Sequence, residues 1–239
     1  MRITFLVLLL TAFTATASAQ WGWNKRVRGN GDVKTETREV SPFTGISSCC
    51  KINIKIEKGP QELRIEAESN LLEYLETEVT GGRLRVGFKD NSNISPKEAI
   101  NVYITVPTID FLGASSGCQL YAVDNFSGEE LEADASSGGK ITANFTGRMV
   151  RSEASSGGHV YLSGKTERIR AGASSGAGVH AAKMTATRAK ANASSGGGVK
   201  LYATGELDAS ASSGGKIRYQ GGAKLDADTS SGGSVRGSK

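Results

Sequence analysis

The sequence predicts an all-β protein, a parallel β-helix (solenoid) with coils of about 19 residues, capped at its amino-terminal end by a β-rich region. Three observations predict it. First, the phrase "ASSGGKI" at Ala135–Ile141 is repeated, lightly edited, from Ala114, Ala154, Ala173, Ala193, Ala211 and Thr229. Second, its Ser pairs begin at Ser115, Ser136, Ser155, Ser174, Ser194, Ser212 and Ser230, at spacings of 21, 19, 19, 20, 18 and 18 residues. That period is too short for helix-pair repeats or propeller blades and lacks a leucine-rich pattern, but it matches one β-helix coil. Third, an aliphatic residue closes every copy, which a flexible Gly/Ser linker would not need.

Taken in order, residues 1–19 read as an export signal outside the fold. Arg2 supplies the positive region, Ile3–Phe13 an apolar run too short for a mature membrane span, and Ala17-Ser18-Ala19 the small-residue cleavage pattern before Gln20. The residue directly after the cleavage site is Gln20 and not a lipid-accepting Cys, and no later apolar run suits a membrane helix, so the mature chain is expected to have neither a lipid anchor nor a transmembrane segment. Cleavage takes one basic residue from 29 and none of the 24 acidic ones, leaving a net charge of +4. That excess is small for a nucleic-acid binder, and export argues further against such a partner.

Residues 20–108 form the expected amino-terminal head, with strands at Cys50–Ile56, Glu62–Glu68, Arg83–Phe88 and Ile100–Val106, a helical turn around Asn70–Leu75 and a loop at "DNSNISPKE". This region would cover the exposed edge and core of the first coil. Residues 109–239 form the coils. Period-two alternation turns Leu131, Val150, Ile169, Ala189, Leu207 and Leu225 inward before the phrase, and Leu120, Ile141, Val160, Val179, Val199, Ile217 and Val235 inward after it. Each coil thus carries one strand before the Ser-Gly corner and one after, with a second break near Ser127-Gly128, Thr146-Gly147, Ser163-Gly164, Thr204-Gly205 and Gly221-Gly222. Coils stacked at about 4.8 Å put like over like. Gly then serves a sharp or positive-φ turn in every coil, and Ser hydroxyls are expected to bond along the stack or to corner backbone groups that would otherwise lack partners. No His accompanies each Ser, and no Asp of a calcium-binding glycine repeat is present, so the phrase reads as structural.

Cys49, Cys50 and Cys118 lie in a chain bound for a compartment where disulfides persist. Cys50 shares parity with Ile52, Ile54 and Ile56, and Cys118 has inward parity in its own repeat. Either Cys50 and Cys118 are bridged, or they are two buried reduced thiols. Neither His stands at ligand spacing from them, so no zinc site and no cofactor are expected.

The segments "GNGDVKTETREVSPFTGI", "KINIKIEKG", "LRIEAESNLLEYLETEVTGGRLRV" and "INVYITVPTIDFLGASSG", followed by the repeats, resemble the bacterial head GIN domain family of auto-transporter-adhesin-like proteins. The resemblance runs from about Gly29 to the end. It implies a right-handed parallel β-helix related in shape to pectin lyases without their catalytic set, a role in adhesion, and a periplasmic or outer-surface location in a Gram-negative bacterium. No membrane barrel follows, so self-secretion is not implied.

The outward columns after the phrase carry the candidate site. One contains Gln119, Lys140, His159, Gly178, Gly198, Lys216 and Ser234; the other contains Tyr121, Thr142, Tyr161, His180, Lys200, Arg218 and Arg236. Neither contains an acid. Tyr121, Lys140, His159, Tyr161, His180, Lys200, Lys216, Arg218 and Arg236 are therefore the candidate ligand-binding face, suited to anionic glycans or envelope polymers whose charges repeat along a chain. The alternative reading of these charges is a solvated face that keeps a flat sheet from aggregating. The strand before the phrase is mixed to acidic; there Asp208 and Asp226 should be neighbours offset by Lys190, and Glu132 should pair with Arg151. A rival function is self-association, end to end through an open carboxy-terminal coil. A polysaccharide lyase or hydrolase is disfavoured, because carboxylates and cations fall on different strands and no insertion walls a groove.

Overall fold

The structure, a computed structural model, describes residues 26–89 and 93–238. The expected export signal at 1–19 lies outside the described residues. The head contains β1 (Val27–Arg28), β2 (Val33–Thr37), β3 (Gly45–Ser48), β4 (Asn53–Lys58), β5 (Glu62–Glu68), a 3-10 turn at Leu72–Tyr74, β6 (Leu75–Thr80), β7 (Arg83–Phe88), β8 (Ile94–Ser95) and β9 (Asn101–Val106). The coils follow as β10 (Phe111–Ala114), β11 (Gln119–Ala135), β12 (Lys140–Ala154), β13 (His159–Ala173), β14 (Gly178–Ala193), β15 (Gly198–Ala211), β16 (Lys216–Gln220), β17 (Lys224–Thr229) and β18 (Ser234–Gly237). Every pairing from β10 onward is parallel and joins one coil to the next, so the chain is a parallel β-solenoid.

The aliphatic column after the phrase forms a single interior row. Leu120, Ile141, Val160, Val179, Val199 and Ile217 are neighbours in register, and none is more than 1% exposed. Burial of each such side chain contributes about 1.5–3 kcal/mol, so the row, with the buried row Leu131, Val150 and Ile169 before the corner, holds the coils together. Phe126 and Phe145 stack in register within the same core, both fully buried. The interior rows thin out at the last coil: Val235, the register partner of Ile217, is only partly buried, and in the row before the corner Leu225 on the exposed β17 is 39% exposed, because among the described residues no strand lies beyond them.

At the corners the serines do more than expected, and their hydroxyls do less. The second Ser and the first Gly of each phrase both take left-handed backbone, as in Ser137 (φ 48°) and Gly138 (φ 74°), and the N–H of Gly139 donates to the Ser136 carbonyl at 2.7 Å. Two left-handed residues closed by such a bond make a turn of the type I′ class. A left-handed non-Gly residue costs about 1–2 kcal/mol. Offsetting that cost, the N–H of Gly138 donates to the Ser156 carbonyl at 3.2 Å, and equivalent bonds join corner to corner up the stack. Among the described residues no corner hydroxyl takes part in a hydrogen bond, so the ladder is carried by backbone. The next position is tight at Gly158, where a Cβ would stand 2.4 Å from the Ala135 carbonyl oxygen, whereas Cys118 and Ala177 hold the same position in their own coils.

Two sequence expectations are revised here. Each full coil is one strand of 14–17 residues rather than two, because pairing resumes across the second break, in places with a shift of register, as between Ala186 and Arg188, and in others without one, as where Gly128 faces Gly147. The head, besides closing the end of the stack, continues it. β3 and β4 pair in parallel with β10 and β11, and β7 and β9 pair in parallel with β3 and β4. The closure itself is antiparallel: β6 lies on β7, and β5 on β9.

Between β3 and β4 the chain turns through a corner that lacks the Ser-Ser-Gly wording. Cys50 (φ 70°) and Lys51 (φ 60°) repeat the left-handed pair, and the N–H of Lys51 donates to the Ser116 carbonyl at 3.1 Å, joining the corner ladder. This corrects the cysteine expectation. Cys50 is bonded to Cys49, and Cys118 is free and fully buried, so there is no Cys50–Cys118 bridge. Parity misled because Cys50 sits in the turn and not on the strand whose inward face holds Ile54 and Ile56. Cys118 lies level with Ile52, one corner residue further on.

Glu68 anchors the amino-terminal segment. Only 1% exposed, it accepts backbone N–H bonds from Gly31 (2.6 Å), Lys97 (2.8 Å) and Glu98 (3.3 Å). Burial alone would raise its pKa, but these three donors and the Lys97 charge outweigh burial and hold it below the usual carboxylate range.

Two predictions follow from these buried groups. The lowered Glu68 pKa supplies stability that is complete above the unfolded-state value of about 4.3 and is lost as pH falls through the folded-state value. Glu68→Gln should therefore lower the urea midpoint at pH 7 and flatten its decline between about pH 5 and 3; an unaltered decline would remove Glu68 as the cause. Burial also pushes the Cys118 thiol up to about 11, against a smaller opposing effect of Ser48. Without reductant, a thiol-specific label should leave the native protein untouched and modify Cys118 alone after unfolding. Labelling of Cys118 only after reduction would mean that it is bridged.

Candidate functional site

The residues just after each corner form a flat ladder whose outward side chains stand in two columns. The first runs Gln119, Lys140, His159, Gly178, Gly198, Lys216, Ser234, and the second Tyr121, Thr142, Tyr161, His180, Lys200, Arg218, Arg236, each residue the register partner of the next. All nine candidate residues thus lie on one face. The columns also reach into the head, where Asn53 and Asn101 extend the first, and Lys55 and Tyr103 the second. Sequence reading missed these because no Ser-Gly phrase marks their coils. The alternation in "KINIKI" was the available signal. Lys55 is partly neutralised by Glu57 at 2.7 Å, and Arg64 covers the Tyr103 ring at 4.2 Å.

The centre of the face is aromatic and cationic. The Tyr161 ring, 37% exposed, stacks on His180 with centroids 4.6 Å apart and planes at 11°, and the Lys140 ammonium stands 5.3 Å from the Tyr161 centroid. Beside this stack lies an open depression of about 400 Å³ lined by Lys140, Thr142, Tyr161, His180, Lys183 and Lys200. A second, of about 180 Å³, lies over Gly178 and Gly198 and is bounded by His159, His180, Lys200, Lys216 and Arg218. Missing side chains at two successive positions of the first column open this second hollow. His180 is held below its ordinary pKa by burial first, then by the charges of Lys200 and His159.

Before the corner the picture is different, since there both signs share a column, with Arg151, Arg170 and Lys190 stacked in register between Glu132 and Asp208. Lys190 meets Asp208 at 2.7 Å, Arg148 meets Glu129 at 2.9 Å, and Arg188 meets Glu206 at 3.8 Å. Glu132 is the register partner of Arg151, yet Arg151 bonds Glu130 instead, and Glu132 faces Arg83 at 3.6 Å. Side-chain length decides that choice: partners level in the ladder are not always the pair whose charged ends meet. Asp134 is pushed up to about 6 by burial and then by the charges of Glu132 and Glu153. Among the described residues no three His, Cys, Asp or Glu side chains group as metal ligands, and no helix is long and apolar enough to cross a membrane.

Residues 42–223 match the family described as "Putative auto-transporter adhesin, head GIN domain". The chain belongs to the head GIN domain family. Among solved structures it is similar to a "putative adhesin" from Bacteroides fragilis, with a TM-score of 0.82 and 16% identity over 88% of this chain and 99% of that one. It is also similar to a "Putative lipid binding protein" from Parabacteroides distasonis (TM-score 0.70, 20% identity, 90% of this chain and 100% of that one). A "putative adhesin" from Parabacteroides merdae gives a TM-score of 0.68 at 18% identity over 90% of this chain and 99% of that one. At such identities the likeness shows the head GIN solenoid fold and leaves binding partners to the surface itself. No curated protein matches the chain.

Proposed function

We propose that this head GIN protein is an exported, non-catalytic, adhesin-like binder that engages anionic envelope or cell-surface polymers through the Lys/Arg/Tyr face. The mature chain begins at Gln20 and works in the periplasm or at the outer surface of a Gram-negative bacterium. One contrast carries the reading. On the strand segments before the corner the stacked run Arg151, Arg170 and Lys190 is closed at both ends by carboxylates, Arg151 bonding Glu130 and Lys190 bonding Asp208. On the segments after it, Lys200, Arg218 and Arg236 stack directly on one another with Lys140 and Lys216 alongside, and among the described residues none of the five forms an ion pair. Directly opposed like charges destabilise a sheet, and a face serving only solubility gains nothing from stacking one sign. A polyanion laid along the stack neutralises the row and releases its own counterions.

The non-catalytic part rests on the two depressions of the basic face, neither of which is lined by a carboxylate able to do acid–base work. A lyase or glycosidase needs such carboxylates and substrate-orienting cations in one groove.

Replacing Lys140, Lys200, Lys216 and Arg218 together by Ser should leave circular dichroism and the thermal midpoint near wild type. Binding to polygalacturonate and dextran sulfate should weaken by at least about tenfold, with a shallower dependence on salt. Affinity that is unchanged, or that ignores ionic strength, would rule out this face as the contact surface.

A further inference from the structure

The two imidazoles of the basic face are arranged unlike their neighbours. His159 on β13 and Gly178 on β14 are register partners, and His180 follows Gly178 by two residues on the same face. The glycine leaves a gap that both rings occupy from opposite sides. A Cβ built there would lie 2.8 Å from His159 Nδ1 and 2.8 Å from His180 Nε2. The ring centroids are 5.7 Å apart, and neither of these two nitrogens is reached by solvent or has a hydrogen-bond partner. Leaving a polar group desolvated and unpaired costs about 1–3 kcal/mol. Two such nitrogens, turned toward one spot, mark a place where a bound group would recover that cost.

The surroundings select the sign of that group. Lys140 on β12, Lys183 on β14, Lys200 on β15, and Lys216 and Arg218 on β16 border the two depressions that meet at His180, and Tyr161 stacks on its ring. No carboxylate stands in either column. A metal cation would meet these ammonium and guanidinium charges without an acidic ligand to balance them. An oxyanion meets them favourably, and each imidazole can present an N–H to it.

We propose that His159 and His180 form a clasp over Gly178 that opens by ring rotation to take one oxyanion group, a carboxylate or a sulfate, and holds it between the two imidazole N–H donors. The clasp deepens the polymer-binding reading, on which its biological ligand rests, by assigning the point where a single charged group is gripped. It also gives binding a pH dependence that lysines and arginines cannot supply. In the free protein His180 is held toward its neutral form. An anion between the rings favours their protonation, so the complex takes up protons and affinity rises as pH falls, levelling off once the free imidazoles are themselves charged. Asp134 on the other strand segment, pushed up to about 6 by burial and the neighbouring Glu132 and Glu153, adds a weaker trend of the same sign through loss of a distant negative charge.

Two glycines of one column provide the test. Gly178→Ala puts a methyl group where the two nitrogens converge and forces flexible rings, not backbone, to move. Gly198→Ala meets nothing within 4 Å and serves as its matched control. With both polymers, wild type and Gly198→Ala in an Asp134→Asn background should bind about tenfold more tightly at pH 5.5 than at pH 7.5, and Gly178→Ala less than about twofold. Because the chain has only 2 histidines, imidazole NMR of the mature protein reads the clasp directly with inorganic sulfate and monomeric galacturonate. Both rings should shift and their apparent pKa values rise, in Gly198→Ala but not in Gly178→Ala. If the polymers bind and neither ring responds, the clasp is wrong and the polymer reading stands. If both rings respond to the small anions while the polymers do not bind, the clasp stands and the polymer reading falls. A response to zinc and not to either anion would overturn the clasp in favour of a metal site.

Discussion

The backbone ladder between successive coils is the constraint on which the rest of this molecule depends. Once the N–H of one coil is committed to the carbonyl of the next, each residue has a fixed neighbour about 4.8 Å above and below it. Side chains then form columns, and the column is the unit on which packing and charge both act. An interior column of Val, Ile and Leu supplies cohesion, and an exterior column of cations supplies a line of charge. The same ladder explains the left-handed corners. The strain of a left-handed Ser, about 1–2 kcal/mol, is comparable to the net contribution of one or two hydrogen bonds. The turn is therefore held by its neighbours above and below and not by its own preference.

Much of this was legible in the sequence because a solenoid writes its geometry as a period. The interior row from Leu120 to Ile217 and the outward pair of columns follow from alternation counted from each phrase, and β5 and β7 have the expected limits. What escaped notice was conformation without its usual letters. Cys50-Lys51 adopts the same left-handed pair as Ser116-Gly117, yet neither is glycine, so "SCCKINI" does not read as a copy of "ASSGCQL". With that corner unrecognised, Cys50 was assigned to a strand, the bridge to Cys118 looked reachable, and the extension of the candidate face through Lys55 and Tyr103 stayed hidden. The partner of Arg151 was missed for a different reason. Register fixes which Cα atoms are level, whereas the ends of long side chains choose among several carboxylates within reach.

The two parts of each coil divide the work. Before the corner, short runs of cations are bounded by carboxylates, and each exposed pair contributes no more than about 1 kcal/mol, so their effect is mainly to cancel a field. After the corner, cancellation is absent. An exposed lysine or arginine is a weak contact for any one anionic group, for the same reason that an exposed ion pair is weak. A row of them along a single polymer is different: once one contact forms, the next site faces its ligand at high effective concentration, and weak contacts multiply. The fold therefore suits recognition of charge repetition more than recognition of a particular residue.

Specificity on such a surface has to come from interruptions of the columns. Gly178 and Gly198 stand where Lys or His stands in the coils on either side, and they convert a uniform ridge into a hollow between His159 and Lys216. Only at the first of these gaps do neighbouring rings lean in, because only there are histidines placed both beside the gap and two residues beyond it. Gly198 has Lys200 at the corresponding position, whose long chain reaches solvent and leaves its gap empty. A ladder that forces like over like makes every departure from likeness a local feature, and in this chain the departure that gathers the two titratable rings lies in the middle of the unpaired cations.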